Sequence, residues 1–184
     1  FDAASLELEP IAVEKKYPVT CVKVVAHLDT ILQKVSVDIG FGDVVTPYPL
    51  SLDYPLLLPG VPAVELYAYS LETFIAEKFH AMVDRDESNS RMKDFFDVYQ
   101  LFTNHEIDTE LLAEAIVCTF KNRNTPYREN LALFTDKFAA DSTRNVLWKA
   151  FLKKIRWKEQ IDFSVVMKCV KENLQEYWSR ETLG

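Results

Sequence analysis

Charged side chains that could do chemistry are concentrated between Ser70 and Leu101, a stretch predicted to form two helices joined by a polar turn. On a helical wheel, Lys78 falls inside the apolar arc of the first helix, which contains Leu71, Phe74, Ile75, Phe79, Ala81 and Met82. A lysine buried there must reach solvent, pair with a carboxylate or serve in chemistry, because an isolated buried ammonium is costly. The second helix offers Asp94 and Asp97, one turn apart and off its apolar stripe. We therefore expect a site made of one lysine and two carboxylates.

Each of these residues also has a purely structural interpretation. Lys78 could bridge to Asp94 or Asp97 only to hold two helices together, and charge runs along one helix usually form ordinary ion pairs. Glu77 lies off the apolar arc and is expected to face outward. Asp38 lies in the middle of a predicted strand, on the face opposite Val37 and Ile39, where it faces either solvent or a ligand.

Composition and motifs exclude several classes of protein. The hydrophobic content of 48% and the charged content of 27% are typical of a soluble globular domain. A net charge of −7 argues against a surface that coats nucleic acid in general. Three widely spaced cysteines fit a reducing cytoplasm and offer no zinc spacing, and no apolar run is long enough to cross a membrane. The sequence has no P-loop, GxGxxG motif or nucleophile elbow.

The order of the predicted elements indicates an α+β fold, with strands first and helices after. We expect a strand-rich part over residues 1–69 and a helical part over residues 70–184. The predicted strands are Ser5–Val13, Thr20–Leu28, Ile31–Phe41 and Ala63–Tyr69. The five prolines between Thr46 and Pro62 predict a loop. Helices after the two described above are predicted at Asp108–Lys121, Thr143–Lys154 and Asp162–Trp178.

Four sequence blocks together carry a resemblance to a known family. They are VDIGFGDVVTP (Val37–Pro47), YPLLL (Tyr54–Leu58), AYSLETFIAEKFHAMV (Ala68–Val83) and NSRMKDFFDVY (Asn89–Tyr99). In this order the blocks resemble the AbiEii/AbiGii toxin family of nucleotidyltransferase-like proteins, over the chain as far as about Lys154. The resemblance implies part of a nucleotidyltransferase-like mixed sheet followed by a helical bundle.

The resemblance also implies an activity and roles for individual residues. Such enzymes transfer a nucleoside monophosphate from an NTP, with Mg²⁺, to an acceptor that in some members is tRNA, within toxin–antitoxin or abortive-infection systems. Asp38 matches a carboxylate strand that holds the metal ion. Lys78 matches the lysine of the AEK motif, which is expected to meet NTP phosphate. Asp94 matches the aspartate of the R-x-K-D motif, and the resemblance implies that it is catalytic together with Asp38 and Lys78. Asp97 lies beside it in the same block and is expected, with Lys78, to bind the nucleotide. The expected partners are NTP, an acceptor such as tRNA and a cognate antitoxin.

One departure from the family pattern limits these expectations. The family's opening small-residue loop and the Asp-x-Asp strand that follows it do not occur in this sequence. We expect both to precede Phe1 in a longer parent enzyme, and the activity of this stretch alone is left open. Two alternatives follow. One is a catalytically incomplete remnant that binds an antitoxin through its helical half, and the other is a regulator that binds NTP through Lys78 without transfer.

Overall fold

The structure, a computed structural model, describes residues 1–11, 19–56 and 59–179. The chain divides into two compact units, Phe1–Asp43 and Val44–Gly184. The elements are the strands β1 (Asp2–Ile11), β2 (Val19–Leu28), β3 (Ile31–Gly40), β4 (Leu50–Tyr54) and β5 (Val64–Ala68), and the helices α1 (Leu71–Arg85), α2 (Met92–Asn104), α3 (Thr109–Arg123), α4 (Asp136–Ala140), α5 (Ser142–Lys154) and α6 (Phe163–Leu174). The predicted α+β class is confirmed.

The first unit is an antiparallel sheet with the strand order β1-β2-β3. Leu28 pairs with Ile31 across a two-residue turn, where Asp29 adopts a positive φ of 52°. Aspartate tolerates this conformation better than most residues, so the turn fits its sequence. The predicted strands match β1 to β3 to within a few residues, although positions 12 and 13 of the first lie outside the described residues.

The predicted loop between Thr46 and Pro62 is wrong in one respect, because Leu50–Tyr54 forms strand β4, which pairs antiparallel with β5. Pro49 and Pro55 flank β4 instead of lying within it. Since this sheet has two strands in the part of the chain that the structure describes, each is an edge strand there, and flanking prolines interrupt no ladder hydrogen bond. Residues 57 and 58 of the predicted loop lie outside the described residues. All strand pairs in the described ranges are antiparallel.

The main hydrophobic core lies among the helices of the second unit. α1 packs against α2 and α3, and α2 packs against α5 and α6. The largest side chains with almost no exposed surface are Phe79, Phe95, Phe120, Trp148 and Phe163. Trp148 and Trp178 both belong to this core. None of the helices in the described ranges combines the length and the apolar character needed to cross a lipid bilayer.

The division of the chain into residues 1–69 and 70–184 was predicted from secondary-structure type. In the structure, the β4–β5 hairpin belongs to the same compact unit as the helices. That residues 1–69 are the end of a nucleotidyltransferase-like core stays a prediction.

Candidate functional site

Lys78 lies two turns after the N-terminus of helix α1, and hydrogen bonds hold that N-terminus in place. The Ser70 side chain caps the helix by accepting a hydrogen bond from the backbone N–H of Thr73 at 3.1 Å. The Thr73 hydroxyl donates in turn to the carbonyl of Thr46 at 2.8 Å, and all three residues are buried. The start of α1 is therefore fixed both by its own cap and by a distant part of the chain.

Helix α2 places Asp94 in its first turn and Asp97 in its second. Asn89, which is buried, accepts a hydrogen bond from the backbone N–H of Arg91 at 2.9 Å and so shapes the turn before the helix. A carboxylate in the first turn interacts favourably with the positive end of the helix dipole. Asp94 is thus held both by its position on α2 and by the partners described next.

Lys78 and the two aspartates meet in an ion-pair cluster between α1 and α2. The Lys78 Nζ atom lies 2.6 Å from Asp94 Oδ1 and 3.2 Å from Asp97 Oδ2. Two further cations join from α2, since Arg91 Nε lies 3.1 Å from Asp94 Oδ2 and Lys93 Nζ lies 2.6 Å from Asp97 Oδ2. These five residues are named the Lys78 cluster below.

The inner part of the Lys78 cluster is secluded from solvent, whereas its outer cations are exposed. The side chains of Lys78 and Asp97 are each 17% exposed, and that of Asp94 is 1% exposed. Arg91 and Lys93 are half or more exposed. With three cations and two carboxylates, the cluster has a net charge of +1. Lys78 also lies over the ring of Phe74, with Nζ 5.1 Å from the ring centroid.

One carboxylate oxygen of Asp94 is ion-paired but not hydrogen-bonded. Its Oδ2 atom is buried and, despite the nearby Arg91, accepts no hydrogen bond from any residue that the structure describes. Buried carboxylate oxygens normally have a hydrogen-bond partner. The charge of this oxygen is therefore compensated by Arg91 without a well-aligned hydrogen bond.

Asp38 lies in the first unit, on β3, with an exposed side chain. It pairs across the sheet with Cys21 of β2. A hydrogen bond from the Cys21 thiol to Asp38, together with the burial of the thiol, raises the pKa of Cys21 above its usual range. This contact was not predicted from the sequence, because the pairing register that makes Cys21 and Asp38 neighbours is not visible in either strand alone.

A second polar cluster lies on another face of α1. Glu77 was expected to face outward, and this expectation is wrong, because its Oε2 atom lies 2.9 Å from Arg123 on α3 and its side chain is only 19% exposed. One turn further on, His80 shares a hydrogen bond of 2.6 Å with the Thr125 hydroxyl and contacts the Phe120 ring edge to face. Burial, aided by the nearby Arg123, lowers the pKa of His80 below its usual value. A helical wheel of α1 alone could not predict these contacts of Glu77 and His80, because it does not show that α3 packs against that face.

A comparison with known protein families matches residues 2–168 to the nucleotidyl transferase AbiEii toxins of type IV toxin–antitoxin systems. The chain belongs to this family. No curated protein and no solved structure matches it. The match covers all four blocks named above, and with them Asp38, Lys78, Asp94 and Asp97.

Of the residues that the AbiEii resemblance singles out, the structure brings Lys78, Asp94 and Asp97 into direct contact. Asp38 belongs to the other compact unit. The roles of all four in this AbiEii-family protein stay predictions.

Metal ligands in this AbiEii-family protein are sparse. Within the described ranges, no three His, Cys, Asp or Glu side chains are grouped so that they could hold a metal ion. Asp94 and Asp97 are already paired with Lys78, Arg91 and Lys93. The sequence does contain one Asp-x-Asp spacing, Asp84 to Asp86, but it lies at the end of α1 and not on a strand.

Proposed function

We propose that this protein is a toxin that transfers a nucleoside monophosphate from an NTP to an acceptor such as tRNA, and that a cognate antitoxin opposes it. The family supplies the class of reaction and the toxin–antitoxin context. NTPs and tRNA are cytoplasmic, so we place the activity there. The observation that carries the proposal is the Lys78 cluster, in which a partly buried ammonium is held between two carboxylates of a second helix.

Lys78 is proposed to bind the triphosphate. Its ammonium is oriented by Asp94 and Asp97, which hold it in place before a ligand arrives. The net charge of +1 on the cluster, with Arg91 and Lys93 exposed at its edge, favours a polyanionic ligand over a cation. Phosphoryl-transfer enzymes rely mainly on positioning and charge stabilisation, which is what such a cluster can provide.

Asp94 and Asp97 are proposed to have different roles. Asp94 is almost fully buried, so it is best suited to act on the substrate through Lys78 by holding its ammonium. Asp97 is more exposed and is shared with Lys93, which can neutralise it if Lys78 moves toward a phosphate. Asp97 is therefore proposed to line the nucleotide site.

Asp38 is proposed as the Mg²⁺ ligand. Its carboxylate is exposed, and oxygen is the ligand that Mg²⁺ prefers. Bound Mg²⁺ would supply positive charge for phosphate oxygens. The thiol of Cys21, which donates to Asp38, would have to turn away from the oxygen that takes a metal ion.

The experiment that tests the proposal incubates the natural full-length protein with each α-labelled NTP, Mg²⁺ and total tRNA. We expect label on RNA with the unchanged protein and none with Lys78→Met. Lys149→Met, which removes an exposed lysine on α5, is the matched control and should transfer at the normal rate. If no NTP yields labelled RNA, the tRNA acceptor is wrong. If NTP is also not bound, the nucleotidyltransferase assignment of the Lys78 cluster is wrong.

A further inference from the structure

Four positive charges lie close together along the chain where α5 ends. Lys153 and Lys154 are in the last turn of the helix, and Arg156 and Lys158 are in the turn that follows it. All four residues are exposed, and no acidic residue stands between them in the sequence. None of the four side chains has an ion-pair or hydrogen-bond partner in the part of the chain that the structure describes. These four residues are named the α5 patch below.

The helix dipole explains only part of this arrangement. Cations in the last turn of a helix interact favourably with the negative end of the dipole, which accounts for Lys153 and Lys154. Arg156 and Lys158 lie beyond the end of the helix, where this effect falls off. The chain as a whole has a net charge of −7, so four unpaired positive charges within six positions are unusual for it. Such a patch is complementary to a polyanion.

The backbone at Arg156 gives a second, independent indication of function. The Arg156 N–H donates to the carbonyl of Lys153 at 3.1 Å, and the Trp157 N–H donates to the carbonyl of Leu152 at 3.0 Å. These two bonds form a Schellman motif, in which the position of Arg156 is usually glycine. Arg156 has a φ of 55°, which residues with a side chain adopt less readily than glycine. Unfavourable backbone conformations of this kind are concentrated at functional positions.

The aromatic side chains of the same segment indicate which polyanion fits. The rings of Phe151 and Trp157 pack inward against Phe96 of α2, at centroid distances of 5.6 and 5.0 Å. They are therefore occupied, and cannot stack on an unpaired base or insert among lipid headgroups as interfacial aromatic residues do. The α5 patch offers charge without stacking rings. Charge alone is suited to the phosphate backbone of a structured RNA.

We infer that the α5 patch binds the phosphate backbone of the acceptor RNA. The inference rests on the proposed function, because it takes the acceptor to be RNA. Helix α5 packs against α2 within the second compact unit, so RNA bound at the patch is attached to the same body that carries Asp94 and Asp97. Since phosphate contacts carry no sequence information, the patch should position the acceptor without selecting its sequence.

The test measures binding of fluorescently labelled total tRNA to the natural full-length protein at a series of KCl concentrations. The logarithm of the affinity falls linearly with the logarithm of the salt concentration, and each phosphate contact contributes about 0.7 to 0.9 to the slope. Lys153→Gln/Lys158→Gln should therefore weaken binding and reduce the slope by about 1.5. Lys121→Gln/Lys137→Gln removes two exposed lysines from α3 and α4 and should leave the slope unchanged.

Arg156→Gly separates RNA binding from a structural role. Glycine suits the backbone at this position, so the melting temperature should be retained or raised, whereas tRNA binding should weaken and the slope should fall by about 0.8. Asn124→Gly is the control, because Asn124 ends α3 with a similar φ of 49° and carries no charge. Asn124→Gly should leave tRNA binding unchanged.

The outcomes separate the inference from the proposed function. If the α5 patch variants bind tRNA with the affinity and slope of the unchanged protein, the inference is wrong and the proposed function stands. If they lose affinity for vesicles of phosphatidylcholine and phosphatidylglycerol but not for tRNA, the patch is a membrane site and the inference is again wrong. If tRNA binding depends on the patch but the unchanged protein transfers no label from any NTP, the RNA site is supported and the proposed transfer to RNA is wrong.

Discussion

At the scale of single residues, the ion pairs of the Lys78 cluster do not by themselves imply a large net gain in stability. Removing two charges from water costs nearly as much as their attraction returns, so a buried ion pair is seldom more stabilising than apolar residues of similar size. Removing only one member is costly, because it leaves a buried charge without compensation. Loss of a partner should cost most at Asp94, because its side chain has the least contact with solvent.

We therefore expect Lys78→Met to lower the free energy of unfolding by about 3 kcal/mol, as measured by urea denaturation. Lys93→Met removes an exposed i,i+4 partner of Asp97 and should cost less than about 0.5 kcal/mol. The double variant Lys78→Met/Asp94→Leu should recover most of the loss. Equal losses for Lys78→Met and Lys93→Met would contradict the described burial of the cluster.

The pairing of Cys21 with Asp38 has a measurable chemical consequence. Because the thiolate is the reactive form, the raised pKa of Cys21 slows its alkylation at pH 8. Asp38→Asn removes the negative charge and lowers this pKa, so the rate should rise several-fold. The rate is measured with iodoacetamide in protein that carries Cys118→Ser and Cys169→Ser. Asp53→Asn, an exposed aspartate on β4, is the control. An unchanged rate in Asp38→Asn would show that Asp38 does not accept from the thiol.

At the scale of elements, α1 is the helix on which the candidate site depends, and its N-terminal cap can be tested separately. Ser70→Ala removes the acceptor for the backbone N–H of Thr73 and should lower the free energy of unfolding by about 1 kcal/mol. Ser142→Ala, at an exposed position that makes no capping bond in the structure, provides the comparison. A loss below about 0.3 kcal/mol at Ser70 would mean that the contact with Thr46 alone fixes the start of α1.

The contact between α1 and α3 should make stability depend on pH. The folded-state pKa of His80 is lowered, so below about pH 6.5 the unfolded chain takes up a proton that the folded chain does not. The free energy of unfolding should therefore decrease as the pH falls from 7.5 to 5.5. His80→Gln should flatten this dependence in urea titrations at several pH values, with His105→Gln as the control for histidine removal. If the free energy of unfolding fell more steeply with decreasing pH in His80→Gln, the assignment of this pH dependence to His80 would be contradicted.

Most of the elements, and the contact of Lys78 with Asp94 and Asp97, could be predicted from the sequence for identifiable reasons. Lys78 was recognisable because its position in an apolar arc conflicts with its charge, and the structure explains the conflict by placing Asp94 and Asp97 beside it. Contacts set by tertiary packing were not predictable. Glu77 faces Arg123 only because α3 lies there, and Cys21 meets Asp38 only through strand register. Strand β4 was missed because its flanking prolines dominate the local composition.

At the scale of the whole molecule, the buried apolar residues are unevenly distributed. In the described ranges, Cys21 is the buried hydrophobic residue of the first unit, and every other one belongs to the second. Leu8, Val37 and Ile39 of the first unit's sheet are all at least 40% exposed. Because resistance to local opening follows buried apolar contacts, the two units should differ in stability.

Hydrogen exchange followed by mass spectrometry measures this difference. We expect backbone amides in β2 to exchange at least tenfold faster than those in the middle of α1 and α6, whose inner faces are fully buried. Peptides from β4 and β5, which form a two-stranded sheet, should exchange as fast as β2. Equal protection in β2 and α6 would show that the first sheet is covered by something other than its own side chains.

The short distance along the chain between the members of the Lys78 cluster has a consequence for folding kinetics. Lys78 and Asp94 are separated by 16 positions. A loop of about ten residues closes in roughly 10–100 ns, and a helix forms within about a microsecond, so α1 and α2 can meet early in folding. During synthesis they can do so before Trp148 and Trp178 have left the ribosome. The Lys78 cluster would then form first, within a hairpin of α1 and α2. The remaining helices would pack around this hairpin afterwards.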